Sequence, residues 1–144
     1  FVKGMAASAA YWAAAQTSHI MMEKGPVSEV GSIGVLMVHG ELATHEQRNG
    51  VKYTLIRAEG SEQKALLNPF EPINEDLIAS AKAEMKPLRD AFIAAVKSGR
   101  SDLKESDEIF SGQMFNAKQA ISLGLADSTG TFTDAIKKAY VLSK

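Results

Sequence analysis

The run Gly4-Met5-Ala6-Ala7-Ser8-Ala9-Ala10-Tyr11-Trp12-Ala13-Ala14-Ala15 constrains this chain more than any other stretch. A glycine opens it as a turn, and almost everything after that is small or apolar. Alanine has the highest helix propensity, so the run predicts a helix over about residues 6–16. Apolar residues on every side predict a buried helix rather than one lying on a surface. Its one hydroxyl, Ser8, falls in the predicted first turn, where backbone N–H groups lack partners and the helix dipole favours negative charge. A serine there is either a cap or small packing residue, or a nucleophile whose oxyanion would be met by N–H groups. Position alone leaves both readings open.

Composition narrows the class. A chain of 144 residues amounts to one domain, and 45% hydrophobic with 23% charged residues is usual for a soluble globular protein. A net charge of −1 gives no bulk attraction for nucleic acid or an anionic membrane. With no cysteine, a disulfide framework, a thiolate zinc site and a cysteine nucleophile are all excluded. No run reaches the length of a transmembrane helix. Lys3 is the only positive charge before the apolar run, and the Tyr-Trp pair lies inside it, which argues against a signal peptide. Phe1-Val2 reads as the tail of a strand, so residues upstream are expected.

Further along, His19-Ile20-Met21-Met22 reads as a short strand and Glu23-Lys24-Gly25-Pro26 as a turn. Val30-Gly31-Ser32-Ile33-Gly34-Val35 runs into Leu36-Met37-Val38, another predicted strand. Glycines flanking Ser32 imply a backbone bend that lets other atoms approach, as a bulge or as part of a site. Residues 41–48 read as a short polar helix stopped by Asn49-Gly50. The alternating segment 51–56, rich in β-branched and aromatic residues, reads as a strand. Residues 58–72 form a polar loop holding Ser61, Lys64 and Asn68-Pro69; loops of that length are functional or disordered.

Leu77, Ala81, Met85, Leu88, Phe92 and Val96 recur at helical spacing. They predict a long helix capped by Asn74, ended by Gly99 and kinked at Pro87. A charged connector follows over residues 100–108, then a short strand or turn over 109–115. Asn116 caps a helix ending at Gly124, Leu125-Ala126-Asp127 makes a strand-like exit, and Thr131 or Thr133 caps a last amphipathic helix over 134–141. Helices alternating with short apolar strands give an α/β fold.

An activated serine needs a base. Histidine is the usual one, yet His19, His39 and His45 sit in no recognisable triad setting, and His45 reads as solvent-exposed on the polar helix. Glu41 and His45 are one helical turn apart, but two ligands without a third make weak grounds for a metal. A lysine base must be neutral, so burial has to bring it from about 10.4 toward about 7–8, roughly 4 kcal/mol of disfavoured charge. Most lysines here lie on helix faces; Lys64 lies in the long loop, where Ala65-Leu66-Leu67 could shield it. Chemistry alone does not select it.

Four segments, in order, resemble one family. Met5-Ala6-Ala7-Ser8-Ala9-Ala10-Tyr11 is similar to the nucleophile motif of the Ser-Lys peptidases that include signal peptide peptidase A and bacteriophage capsid (prohead) proteases. Gly31-Ser32-Ile33-Gly34-Val35 resembles the second motif of that family. The stretch from Thr54-Leu55-Ile56 through Gly60-Ser61-Glu62-Gln63-Lys64 to Asn68-Pro69 resembles the segment carrying its catalytic lysine. Gln119-Ala120-Ile121-Ser122-Leu123-Gly124-Leu125-Ala126-Asp127 resembles its C-terminal signature.

The resemblance implies a ClpP/crotonase-like fold and a single peptidase domain over residues 1–144, the C-terminal portion of the family's catalytic domain. The family's upstream glycine-rich loop, which supplies a second oxyanion donor, would then precede Phe1. It makes Ser8 the nucleophile, Lys64 the general base, Ser32 the hydrogen-bond partner that aims the lysine, and the Ala9 N–H the oxyanion donor. It implies a serine endopeptidase acting on peptide or protein substrates without metal or cofactor, in a homo-oligomer whose sites need adjacent subunits. Ala9-Ala10 stands where the family often has Gly-Gly, closer to the phage branch. That favours capsid maturation in the cytoplasm, including that of a phage-infected host. The rivals are a membrane-anchored signal peptide peptidase and a non-catalytic scaffold of the same fold.

Overall fold

In the computed structural model, which describes the backbone of residues 1–144 and every side chain but that of Glu46, the alanine-rich run is a strand followed by a helix. Met5–Ala7 forms β1 and Ala9–Ala15 forms α1, so the helix starts three residues later than alanine propensity predicts. Pairing overrides propensity: β1 lies parallel to β3, Glu29–Gly31, with Met5 opposite Glu29 and Ala7 opposite Gly31. Nor is α1 buried all round. Tyr11 and Ala15 are buried, while Ala9, Ala10 and Ala13 face solvent.

The protein is of mixed helix and sheet, as the α/β reading expects, and divides into two compact units, Phe1–Val35 with Pro87–Lys144, and Leu36–Lys86. In the first unit, β3 also pairs antiparallel with β4, Met114–Asn116, which gives a three-stranded sheet in the order β1-β3-β4. A second, two-stranded parallel sheet joins β2, Met21–Glu23, to β5, Ser128–Gly130. Val2 bridges to Met22 beside it and is buried, in keeping with the tail of a strand.

The core of this unit gathers Tyr11, Ile20, Val30, Phe92, Phe115 and Leu125, among others, from both sheets and the helices. Trp12 stacks on Phe92 with ring centroids 4.7 Å apart and planes within 5°. Gln16 Nε2 donates to the Ala95 carbonyl at 3.0 Å. Gly99 lets the chain pass close: an added Cβ would stand 2.0 Å from the Ala15 carbonyl oxygen.

The local stop and start signals hold. The long helix α3 spans Glu75–Gly99 and continues through Pro87, where the two units divide. Its first turn is capped as expected, Asn74 Oδ1 accepting the Leu77 N–H at 2.9 Å. Of its predicted apolar stripe, Ala81, Phe92 and Val96 are buried, but Leu88 is 52% exposed. Helix α4, Ala117–Ser122, carries a capping box from Asn116, and α5, Phe132–Leu142, one from Thr131.

The second unit departs furthest from expectation. It contains α2, Ala43–Arg48, and the first part of α3, but no strand among the described residues. Residues 36–38 and 51–56, both read as strands, have no ladder partner; Leu36 is 80% exposed and Ile56 93%. β-propensity describes fit to a pleated, half-buried surface, and this unit offers none. Likewise residues 125–127 precede β5 rather than forming it.

Candidate active site

Ser8 occupies the corner between β1 and α1. Its N–H donates to the Gly31 carbonyl at 2.9 Å, extending the ladder by one bond, and its own carbonyl accepts the Trp12 N–H at 2.9 Å, the first bond of the helix. One residue thus ends a strand and begins a helix. The cost is a backbone at φ 54°, ψ −124°, in the left-handed half of conformational space that non-glycine residues avoid. The serine makes no side-chain capping bond and is exposed, so the structure removes the capping reading. Sharp strand-to-helix corners of this kind hold a serine hydroxyl clear of its surroundings.

Ser32 directly follows the neighbouring strand, as Ser8 follows β1. Ala7 is opposite Gly31, so Ser8 and Ser32 are the next residues beyond the C-terminal ends of two parallel strands, the ends where open α/β sheets bind ligands. Ser32 also has positive φ, 53°, and its N–H donates to the Gln113 carbonyl at 2.7 Å. Gly31 makes this possible. At φ 130°, an added Cβ would lie 2.5 Å from the Gln113 carbonyl oxygen. Of the two flanking glycines, Gly31 therefore reflects the close approach the sequence suggested, whereas a Cβ at Gly34 would make only ordinary contact, 3.6 Å from Gly112. Ala9, the first residue of α1, has an N–H with no partner inside the helix.

A cavity of about 370 Å³ opens beside the corner. Met5 and Ala6 of β1, Ala10 and Ala14 of α1, and Lys3 are among its lining residues; Ser8 and Ala9 are not. A second cavity, about 350 Å³, lies between α5 and residues 17–21 and holds none of the predicted site residues.

Lys64 belongs to the second unit. Its loop is tied together by hydrogen bonds that sequence reasoning missed. Arg57 grips Glu71 with both terminal nitrogens, at 3.0 and 2.6 Å. Arg57 also donates to the carbonyls of Lys64, at 2.7 Å, and Ala65, at 3.2 Å. Asn68 Nδ2 donates to Glu71 at 2.7 Å, while its Oδ1 accepts the N–H groups of Phe70 and Glu71. Hydrogen bonds from Arg57 and Asn68 hold the Glu71 carboxyl below its ordinary range. The Asn68-Pro69 pair was the one visible signal, since asparagine caps turns through its own backbone. Ala65 and Lys64 are exposed, so the expected shielding by residues 65–67 is not supplied within the unit.

Two of the histidines are engaged elsewhere, while His39 keeps a buried Nε2 with no hydrogen-bond partner among the described residues. His19 Nε2 lies 2.8 Å from Ser128 Oγ, and His45 Nδ1 lies 3.3 Å from Asn49 Nδ2.

Ser8 thus sits, strained, exposed and uncapped, between an edge strand and the start of a helix. A model of peptidase family S49 matches residues 1–144, and the chain belongs to that family. A Brucella abortus protein named Na(+)/H(+) antiporter NhaA is 32% identical over 141 residues, 97% of this chain and 19% of its own length. Protease 4 of Haemophilus influenzae is 29% identical over 141 residues, 96% of this chain and 22% of its own. Capsid assembly protease C of Escherichia phage lambda is 31% identical over 114 residues, 76% of this chain and 24% of its own. The chain thus spans 19% to 24% of the length of these three relatives. Among its described residues, no helix is long and apolar enough to cross a membrane.

Proposed function

We propose that this protein is a serine endopeptidase of ClpP/crotonase-like fold that cleaves peptide bonds with a Ser8–Lys64 dyad. The observation that carries the reading is the Ser8 corner: a positive-φ serine, exposed and uncapped, at the end of a parallel strand and the start of a helix. Strain of about 1–3 kcal/mol at one residue persists where surrounding structure enforces it, and such residues cluster at active sites.

In this mechanism Ser8 Oγ attacks the scissile carbonyl and passes its proton to the neutral Lys64 amine. The Ala9 N–H, at the positive end of α1, steadies the tetrahedral oxyanion. Collapse of the intermediate expels the amine product, which takes the proton from the lysine, and leaves an acyl-enzyme. Lys64 then deprotonates water, which hydrolyses the ester and frees Ser8. Ser32, just beyond the end of the next strand as Ser8 is beyond β1, accepts from the lysine and aims it. Lys64 is exposed in its own unit, so the dry surroundings that keep it neutral come from substrate and from an adjacent subunit of a homo-oligomer. The alanines and Met5 beside the corner favour small or apolar residues near the cut.

The biological role proposed is maturation of a phage-type capsid, supported by the likeness to the lambda protease. A Protease 4-like role in a cell is the second reading, favoured by a match that covers 96% of the chain rather than 76%. Labelling with a serine-reactive fluorophosphonate, run beside a peptide-library cleavage assay, tests the dyad. Both signals should vanish in Ser8→Ala, and cleavage should vanish in Lys64→Ala. Undiminished cleavage by either variant refutes the assignment.

A further inference from the structure

We infer that Tyr11 is a positioning residue for the Ser8 nucleophile, holding its helix in register through the Leu125 carbonyl; this rests on the reading of Ser8 just proposed. Tyr11 lies three residues beyond Ser8 on α1 and is 0% exposed. Its hydroxyl donates to the Leu125 carbonyl oxygen at 2.8 Å, across 114 residues of sequence. If the ring were there only for volume, phenylalanine would serve, because a buried hydroxyl must find a partner or carry a desolvation penalty. Burial also pushes the phenol well above its ordinary range, so it stays a donor at every working pH.

The acceptor is itself fixed. The Leu125 N–H donates to the Ala120 carbonyl at 2.8 Å. Buried Arg100 donates to the Gly124 carbonyl at 3.2 Å and to Asp127 Oδ1 at 2.5 Å. The Ile20 N–H donates to Asp127 Oδ2 at 2.6 Å. Residues 124–127 are thus bound from three sides, and Tyr11 adds α1 to the same anchor.

Helix α1 needs such an anchor. Seven residues make two turns, too few to hold a helix by propensity. The face-to-face contact of Trp12 with Phe92 permits sliding, whereas a hydrogen bond at the end of a rigid ring is directional. It fixes both the rotation of α1 about its axis and its advance along it. Those two coordinates decide where Ser8 Oγ and the Ala9 N–H stand relative to a substrate carbonyl. A displacement near 1 Å can cost about 100-fold in rate.

The test compares Tyr11→Phe with the parent protein in peptide cleavage and in the rate of fluorophosphonate labelling. Assays are run at a temperature where circular dichroism shows each protein fully folded. Ile109→Val, a change in the same core but outside α1, serves as a destabilised control, and Ser8→Ala as the reference for the nucleophile. The expected result is a kcat about 10- to 100-fold lower in Tyr11→Phe with KM within about twofold, a parallel fall in labelling rate, and near-parental kcat in Ile109→Val. Unchanged kcat in Tyr11→Phe while Ser8→Ala is inactive overturns the inference and leaves the Ser8 reading standing. An equal loss in Ile109→Val also overturns it, because the effect would then be general loosening. Full activity in Ser8→Ala overturns both.

Discussion

Ser8 carries two opposed demands. Its hydroxyl is useful because the main chain turns sharply beneath it, and that turn is unfavourable for any residue with a Cβ. Glycine tolerates φ 54° without strain, so Ser8→Gly should remove about 1–3 kcal/mol of strain and add about 0.5–1 kcal/mol of chain entropy cost. The expected net is a protein stabilised by about 1 kcal/mol, visible as a higher midpoint in thermal unfolding, with peptide cleavage abolished. A lower midpoint would mean that the corner is relaxed. The sequence could offer Ser8 as a candidate because alanines isolate a single hydroxyl there. It could not reveal the strain, which arises only when β3 pulls the Ser8 N–H onto the Gly31 carbonyl.

At the level of elements, the first unit is fastened where Arg100, just past α3, meets Asp127, just before β5. Burial alone would raise the Asp127 pKa. The Arg100 hydrogen bond, the Ile20 N–H and the charges of Arg100 and His19 outweigh it and hold the carboxyl below its ordinary range. With the folded value below the unfolded one, near 3.9, the stabilisation is complete above that value and is lost as pH falls through the folded one. Asp127→Asn leaves Arg100, whose side chain is 5% exposed, without its counter-charge. It should cost about 2–4 kcal/mol near pH 7, discounted because the carboxylate is partly exposed. Unfolding midpoints of variant and parent should stay apart above about pH 4 and begin to converge only as pH falls below it. A gap that does not narrow at all with falling pH would assign the loss to packing instead.

The same scale explains what was legible. Asn74, Asn116 and Thr131 were readable because a cap is decided within four residues. β1 and β3 were missed because each is three residues long and is held by partners distant in sequence, β1 by β3 and β3 by both β1 and β4. Segments 36–38 and 51–56 failed for the converse reason: strand-like side chains with no neighbouring ladder.

For the whole molecule, the predicted site residues divide between the units, with Ser8, Ala9 and Ser32 in one and Lys64 in the other. On the proposed reading adjacent subunits complete the site. Where the neighbour lends its Lys64 as well as its shielding, mixing inactive Ser8→Ala with inactive Lys64→Ala restores part of the cleavage activity, measured after co-refolding. Silence in the mixture while each variant assembles normally would place both groups of a working site on one chain. A final consequence follows from the knot around Arg57. The main chain at Lys64 is pinned on both sides, its N–H on the Ser61 carbonyl and its carbonyl on Arg57. The amine can therefore sweep only the reach of its own four methylenes. Turnover should follow how much protein has assembled, and hence its concentration, rather than how readily the loop changes shape.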